Sequence, residues 1–97
     1  MAKIYVIGSM TREAKIKQVA EELESLGHEV RYVKQEDDSF VSCVRDCFLT
    51  IENWADAIVV VPKTSYSSRT KLDIGHGTTY EMEHAKSYSK PVYIYAY

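Results

Sequence analysis

Asp56-Ala57-Ile58-Val59-Val60-Val61-Pro62 is the stretch that decides the fold. Four consecutive β-branched residues, with no polar alternation, predict a strand buried on both faces. Such a strand lies inside a sheet and needs a helical layer above and below it. Before it, Phe40, Val41, Val44, Cys47, Phe48, Ile51 and Trp54 form a helical stripe. The polar run Gln35–Ser39 connects that stripe to Glu29–Lys34, whose alternation suits a half-exposed edge strand. Further back, Ile16, Val19, Ala20, Leu23 and Leu26 recur at helical spacing, with Thr11 as expected N-cap and Gly27 as expected stop. The chain opens on a short apolar strand, Ile4–Ile7, that ends at Gly8. Beyond the central strand, Thr78 to about Ser89 reads as a third helix, with Met82, Ala85 and Tyr88 or Ser89 inward. Pro91–Tyr97 reads as a last strand. This βαβαβαβ alternation predicts one α/β domain over residues 1–97: a four-stranded parallel sheet of order 2-1-3-4 with helices on both faces.

The bulk properties narrow the function classes. The 97 residues carry 12 Lys and Arg against 14 Asp and Glu, a formal net charge of −2. A general nucleic-acid binder carries a basic excess, so that class is disfavoured, while a small anionic ligand in a local pocket is not. No apolar run approaches the roughly 20 residues of a membrane helix. The opening Met1–Ile7 reads as a strand rather than a leader, so the expected location is the cytoplasm. Cys43 and Cys47 lie four apart on one helix face and read as buried thiols without chemistry. A disulfide inside one helix has poor geometry, and no metal-ligand spacing surrounds the pair.

In a sheet of this order, ligands bind beyond the carboxyl ends of the strands, where the first and third diverge. Gly8-Ser9-Met10-Thr11-Arg12 lies at one such end. Its backbone N–H groups at a helix N-terminus, the Ser9 and Thr11 hydroxyls and the Arg12 guanidinium suit an anion. Pro62–Gly77 lies at the other and is far longer than ordinary connections in α/β units. It carries Lys63, Arg69 and Lys71 among five Ser and Thr residues. It leads into Gly75-His76-Gly77-Thr78-Thr79-Tyr80-Glu81. Glu81 is expected in the first turn of the third helix, where a carboxylate can attack a sugar carbon or stabilise an oxocarbenium-like transition state. Thr78-x-x-Glu81 also fits a capping box, with Thr78 as N-cap and Glu81 at N3.

Ile4-Tyr5-Val6-Ile7-Gly8-Ser9, Ala55–Val60, Gly77-Thr78-Thr79-Tyr80-Glu81-Met82-Glu83-His84-Ala85 and Lys90-Pro91-Val92-Tyr93 together resemble the nucleoside 2-deoxyribosyltransferase superfamily, including its 2′-deoxynucleoside 5′-monophosphate N-glycosidase branch. The resemblance implies a flavodoxin-like, Rossmann-like domain that cleaves or transfers at an N-glycosidic bond. It implies Glu81 as nucleophile, Tyr5 beside the sugar, and Gly8 and Ser9 in the phosphate pocket. The expected substrate-binding set is Gly8, Ser9, Thr11, Arg12, Asp56, Gly75, His76, Gly77 and Tyr80. Where the family places an Asp, eight residues before Asp56, this chain has Phe48; Asp46 is the nearest acid and the candidate substitute. The expected ligand is a nucleoside or nucleotide, with no cofactor, metal, nucleic acid or membrane. A non-catalytic nucleotide-binding module of the same fold is the alternative. Tyr93, Tyr95 and Tyr97 alternate on one face of the last strand, which suits either cover by a helix or a dimer interface; with the small core of a short chain, a homodimer is expected.

Overall fold

The computed structural model describes residues 2–8, 12–32, 40–62 and 76–95, and the side chains of all of these except 40–46, 76 and 77. The elements run β1 (Lys3–Gly8), α1 (Glu13–Ser25), β2 (Glu29–Tyr32), α2 (Phe40–Asn53), β3 (Ala57–Val61), α3 (His76–Ser87) and β4 (Val92–Ile94). The four strands form one parallel sheet of order β2-β1-β3-β4. The β-branched run at Ile58–Val61 is interior, between β1 and β4, as its composition predicts, and β4 is an edge, as the expected order 2-1-3-4 requires. None of the described helices is long and apolar enough to cross a membrane.

Strand parity divides the core. Ile4 and Val6 of β1 point to one face, where they pack with Ile16, Val19 and Ala20 of α1 and with Val61. Tyr5 and Ile7 point to the other, with Cys47 and Ile51 of α2, Ile58 and Val60 of β3 and Ala85 of α3. A strand turns successive side chains to opposite faces, so one residue of slip would exchange the two sets.

The helix ends differ in part from expectation. Gly27 takes φ +92° and its N–H donates to the Glu24 carbonyl, while the His28 N–H donates to the Leu23 carbonyl. That pair of bonds is the left-handed glycine stop predicted for this helix. Leu26, placed inward by spacing, is exposed because α1 ends one residue before it. Arg12, not Thr11, occupies the N-cap position of α1, and no side chain caps that end. At the other end of the chain, α3 stops at Ser87, so Tyr88 and Ser89 are exposed, and Ser89 takes φ +57° to turn towards β4. Tyr93 is 60% exposed, whereas Tyr95 packs with the α1 face and its hydroxyl donates to Glu22 Oε2 at 3.1 Å.

Candidate active site

The site is built where α2 and α3 cover the Tyr5 face of the sheet. α3 begins at His76, two residues before Thr78. Thr78 is therefore inside the first turn rather than at the N-cap, and Glu81 falls in the second turn rather than the first. Thr78, Glu81, Met82 and Ala85 then share the inward face of α3, at the spacing of a helical core stripe. The capping-box reading lapses: Glu81 is too deep in the helix to serve the orphan N–H groups of its first turn.

Glu81 is a carboxylate at a core position. It is only 9% exposed, and its Oε2 is buried with no hydrogen-bond partner among the described residues. Burial raises its pKa from the usual 4.5 to about 7, opposed in part by a hydrogen bond from the Cys47 thiol. Cys47 in turn accepts from the Tyr5 hydroxyl, O to Sγ 3.1 Å. The thiol thus links Tyr5 of β1 to Glu81 of α3. An orphaned oxygen on a buried, pKa-shifted acid is an expensive arrangement that packing alone does not explain.

α2 and α3 are held together one turn further on. His84 Nε2 lies 2.7 Å from Glu52 Oε1. The His84 ring stacks on Phe48 with centroids 4.2 Å apart and planes 9° from parallel. His84 follows Glu81 by three residues and Phe48 follows Cys47 by one, so this clamp sets the approach of the Cys47 thiol to the carboxylate. The position where the resembled family carries an acid is thereby taken up by an aromatic stack.

The remaining candidate residues spread widely. Gly8 closes β1 at its carboxyl end. A Cβ there would lie 2.7 Å from the Val61 carbonyl oxygen and 3.1 Å from Ile16 Cδ1, so the glycine is required by the close approach of β3 and α1 whatever it binds. Arg12 is exposed at the start of α1, and Tyr80 is exposed on α3 beside Glu81. Asp56 stands at the opposite, amino end of the strands. There its Oδ2 accepts from the Lys3 N–H at 3.0 Å while its own N–H donates to the Lys3 carbonyl at 2.7 Å. It registers β3 against β1, and the structure does not bring it to the Gly8 end of the sheet. Ser9, Thr11, Gly75 and the loop 63–75 lie outside the described residues, as do the side chains of Asp46 and His76; of Gly77 only the helical backbone is described. Sequence reasoning missed Cys47, whose burial it foresaw but to which it assigned no chemistry. The available signal was its place on the inward stripe of α2, level with a helix that offers a carboxylate.

An all-parallel α/β domain with an acid buried on one face of the sheet is the class that fold and site define. Among solved structures the chain is similar to the CMP N-glycosidase BcmB of Clostridium botulinum, with a TM-score of 0.64 and 20% identity over 97% of this chain and 75% of that one. At that identity the likeness is one of fold. No protein-family model and no curated protein matches the chain.

Proposed function

We propose that this protein cleaves or transfers at the N-glycosidic bond of a 2′-deoxynucleoside or its 5′-monophosphate, with Glu81 as nucleophile. The observation that carries the reading is the buried Glu81 carboxylate, unpartnered at Oε2 and joined through Cys47 to Tyr5. The fold it shares with a CMP N-glycosidase supports the reaction class. A glutamate oxygen would attack C1′ as the C1′–N bond breaks, and the electron pair would leave on the base, which takes a proton. Water, or the nitrogen of a second base, would then open the glycosyl ester and free Glu81. A deoxyribose lacks the 2′-hydroxyl that would crowd the attacking carboxylate. The nucleophile must be ionised, so kcat/KM rises with pH through about 7 on the acid limb. Tyr5 acts on the carboxylate through the thiol, and Gly8 and Ser9 receive the phosphate. The reading calls for no cofactor or metal, places the enzyme in the cytoplasm, and includes a homodimer through the β4 edge around the exposed Tyr93. Sedimentation as a monomer at concentrations well above those of the assay would remove the dimer.

The test is base release from a panel of nucleosides and 5′-monophosphates that includes CMP and dCMP, alongside the Glu81→Gln variant. Release that is fastest on deoxy substrates and lost in the variant is expected. Near wild-type turnover by the variant rejects the nucleophile. One observation favours the alternative of a binding module: Phe48, stacked on His84, stands where an acid would protonate the leaving base. A nucleotide that raises the melting temperature but is never cleaved would establish that alternative.

A further inference from the structure

Resting on Glu81 as the reacting group, we propose that Cys47 is its positioning residue: the thiol accepts from Tyr5, donates to one carboxylate oxygen, and so fixes Glu81 with Oε2 as the oxygen left for attack. Three observations carry this. The Tyr5 hydroxyl lies 3.1 Å from Cys47 Sγ in a buried contact between residues 42 apart in sequence. The Cys47 thiol is hydrogen-bonded to Glu81. Glu81 Oε2 is buried and, among the described residues, unpartnered, on a side chain only 9% exposed. A carboxylate held through one oxygen has restricted χ freedom, and its other oxygen can form a bond without first giving up a hydrogen bond. Sulfur has a large radius and a weak S–H donor, so it spans a gap between strand and helix while lowering the basicity of the carboxylate little.

The surroundings of Glu81 leave few other groups to set its ionisation. Among the described residues, α2 presents Cys47 and β1 presents Tyr5, while β3 presents Ile58 and Val60. Glu52 and His84 are paired with each other one turn away.

The experiment titrates the Glu81 carboxyl carbon by NMR in protein labelled at glutamate side chains, assigned by its loss in Glu81→Gln. Wild type, Cys47→Ala and Tyr5→Phe are compared. Removing the S–H donor withdraws the bond that favours the charged form, so Cys47→Ala moves the midpoint upward by about half a pH unit or more. Tyr5→Phe, which keeps the ring in place, moves it the same way by less. With substrate, Cys47→Ala lowers kcat by about 10–100-fold with a smaller change in KM, and Cys47→Ser, which retains a donor, recovers part of the loss. A midpoint unchanged in both Cys47→Ala and Tyr5→Phe overturns the proposal. If Cys47→Ala does not fold, Tyr5→Phe decides it alone. The titration needs no substrate, so the two ideas fail separately. A shifted midpoint in a protein that releases no base leaves the thiol's grip on Glu81 standing and removes the glycosidase reading. An unmoved midpoint in an active enzyme does the reverse.

Discussion

The two faces of the sheet are built to different rules. On the α1 face, Ile4, Val6, Ile16, Val19, Ala20 and Val61 close an apolar layer. On the α2–α3 face the same strand contributes Tyr5 beside Ile7, and the helices answer with Cys47 and Glu81 among Ile51, Ile58 and Ala85. Burial is comparable on both sides, so the difference is not one of solvent access. Holding a carboxyl whose pKa is displaced from 4.5 to about 7 works against folding once the group ionises. The comparison teaches that one face holds the domain together while the other gives up stability to keep a polar group out of water.

The largest effect expected from this division is on turnover. Glu81→Gln keeps the side chain's volume but removes the nucleophile, and base release should fall on the order of 10⁴-fold or more. On the α1 face, Ile16→Ala should leave kcat within a few-fold of wild type while costing about 2–5 kcal/mol of stability, because Ile16 is fully buried. Denaturant melts and assays on both variants check the pair. Loss of turnover in a folded Ile16→Ala protein, matching that of Glu81→Gln, would erase the distinction between the faces.

A pH series sharpens the comparison further. Glu81 has its folded pKa raised, so its neutral form is the one the fold accommodates. The stabilising contribution is complete below pH 4.5 and is lost as pH rises to about 7, by about 3 kcal/mol in total. The gap between Glu81→Gln and wild type should therefore widen in the variant's favour from pH 5 to pH 8, and be level beyond. Ile16→Ala should run parallel to wild type over the same range. Urea midpoints at half-unit steps of pH read this directly, and parallel curves for wild type and Glu81→Gln would show that the carboxyl is not desolvated.

The α1 face was the legible one. Branched residues on alternate positions and a stripe at helical spacing settle Ile4, Val6, Ile16, Val19 and Ala20 without knowledge of their partners, because apolar burial depends on periodicity and not on angle. The interior place of Ile58–Val61 follows from the same logic. The site face was legible in its residues and not in its geometry. Glu81 follows a glycine-rich turn at the expected start of a helix, and the family resemblance implies both it and Tyr5. The thiol between them depends on how α2 rotates against α3, and no local pattern encodes that rotation. Thr78 misled for a related reason: a threonine three residues before a glutamate has the spacing of a cap wherever the helix starts. Asp56 was misplaced because an acid beside a central strand serves equally as a ligand or as a backbone acceptor, and only the Lys3 contact decides between them.

The smallest of the expected effects concerns that rotation. His84 meets α2 twice, through the 2.7 Å contact with Glu52 and the parallel stack on Phe48. Both contacts are partly exposed, so their loss in His84→Ala should cost only about 1–2 kcal/mol, less than the Ile16 cavity. Its effect on Glu81 should be out of proportion to that figure. With the clamp gone, α2 is free to turn by a few degrees, and the Cys47 thiol loses its alignment with the carboxylate before the apolar contacts of Ile51 and Ala85 are disturbed. The Glu81 midpoint should then rise in His84→Ala and stay at its wild-type value in Ile16→Ala, although Ile16→Ala is the less stable protein. Stability and ionisation moving in opposite order would place the control of Glu81 in the α2–α3 contact. A midpoint that followed stability in both variants would mean that general loosening, and not the position of one helix, governs the acid.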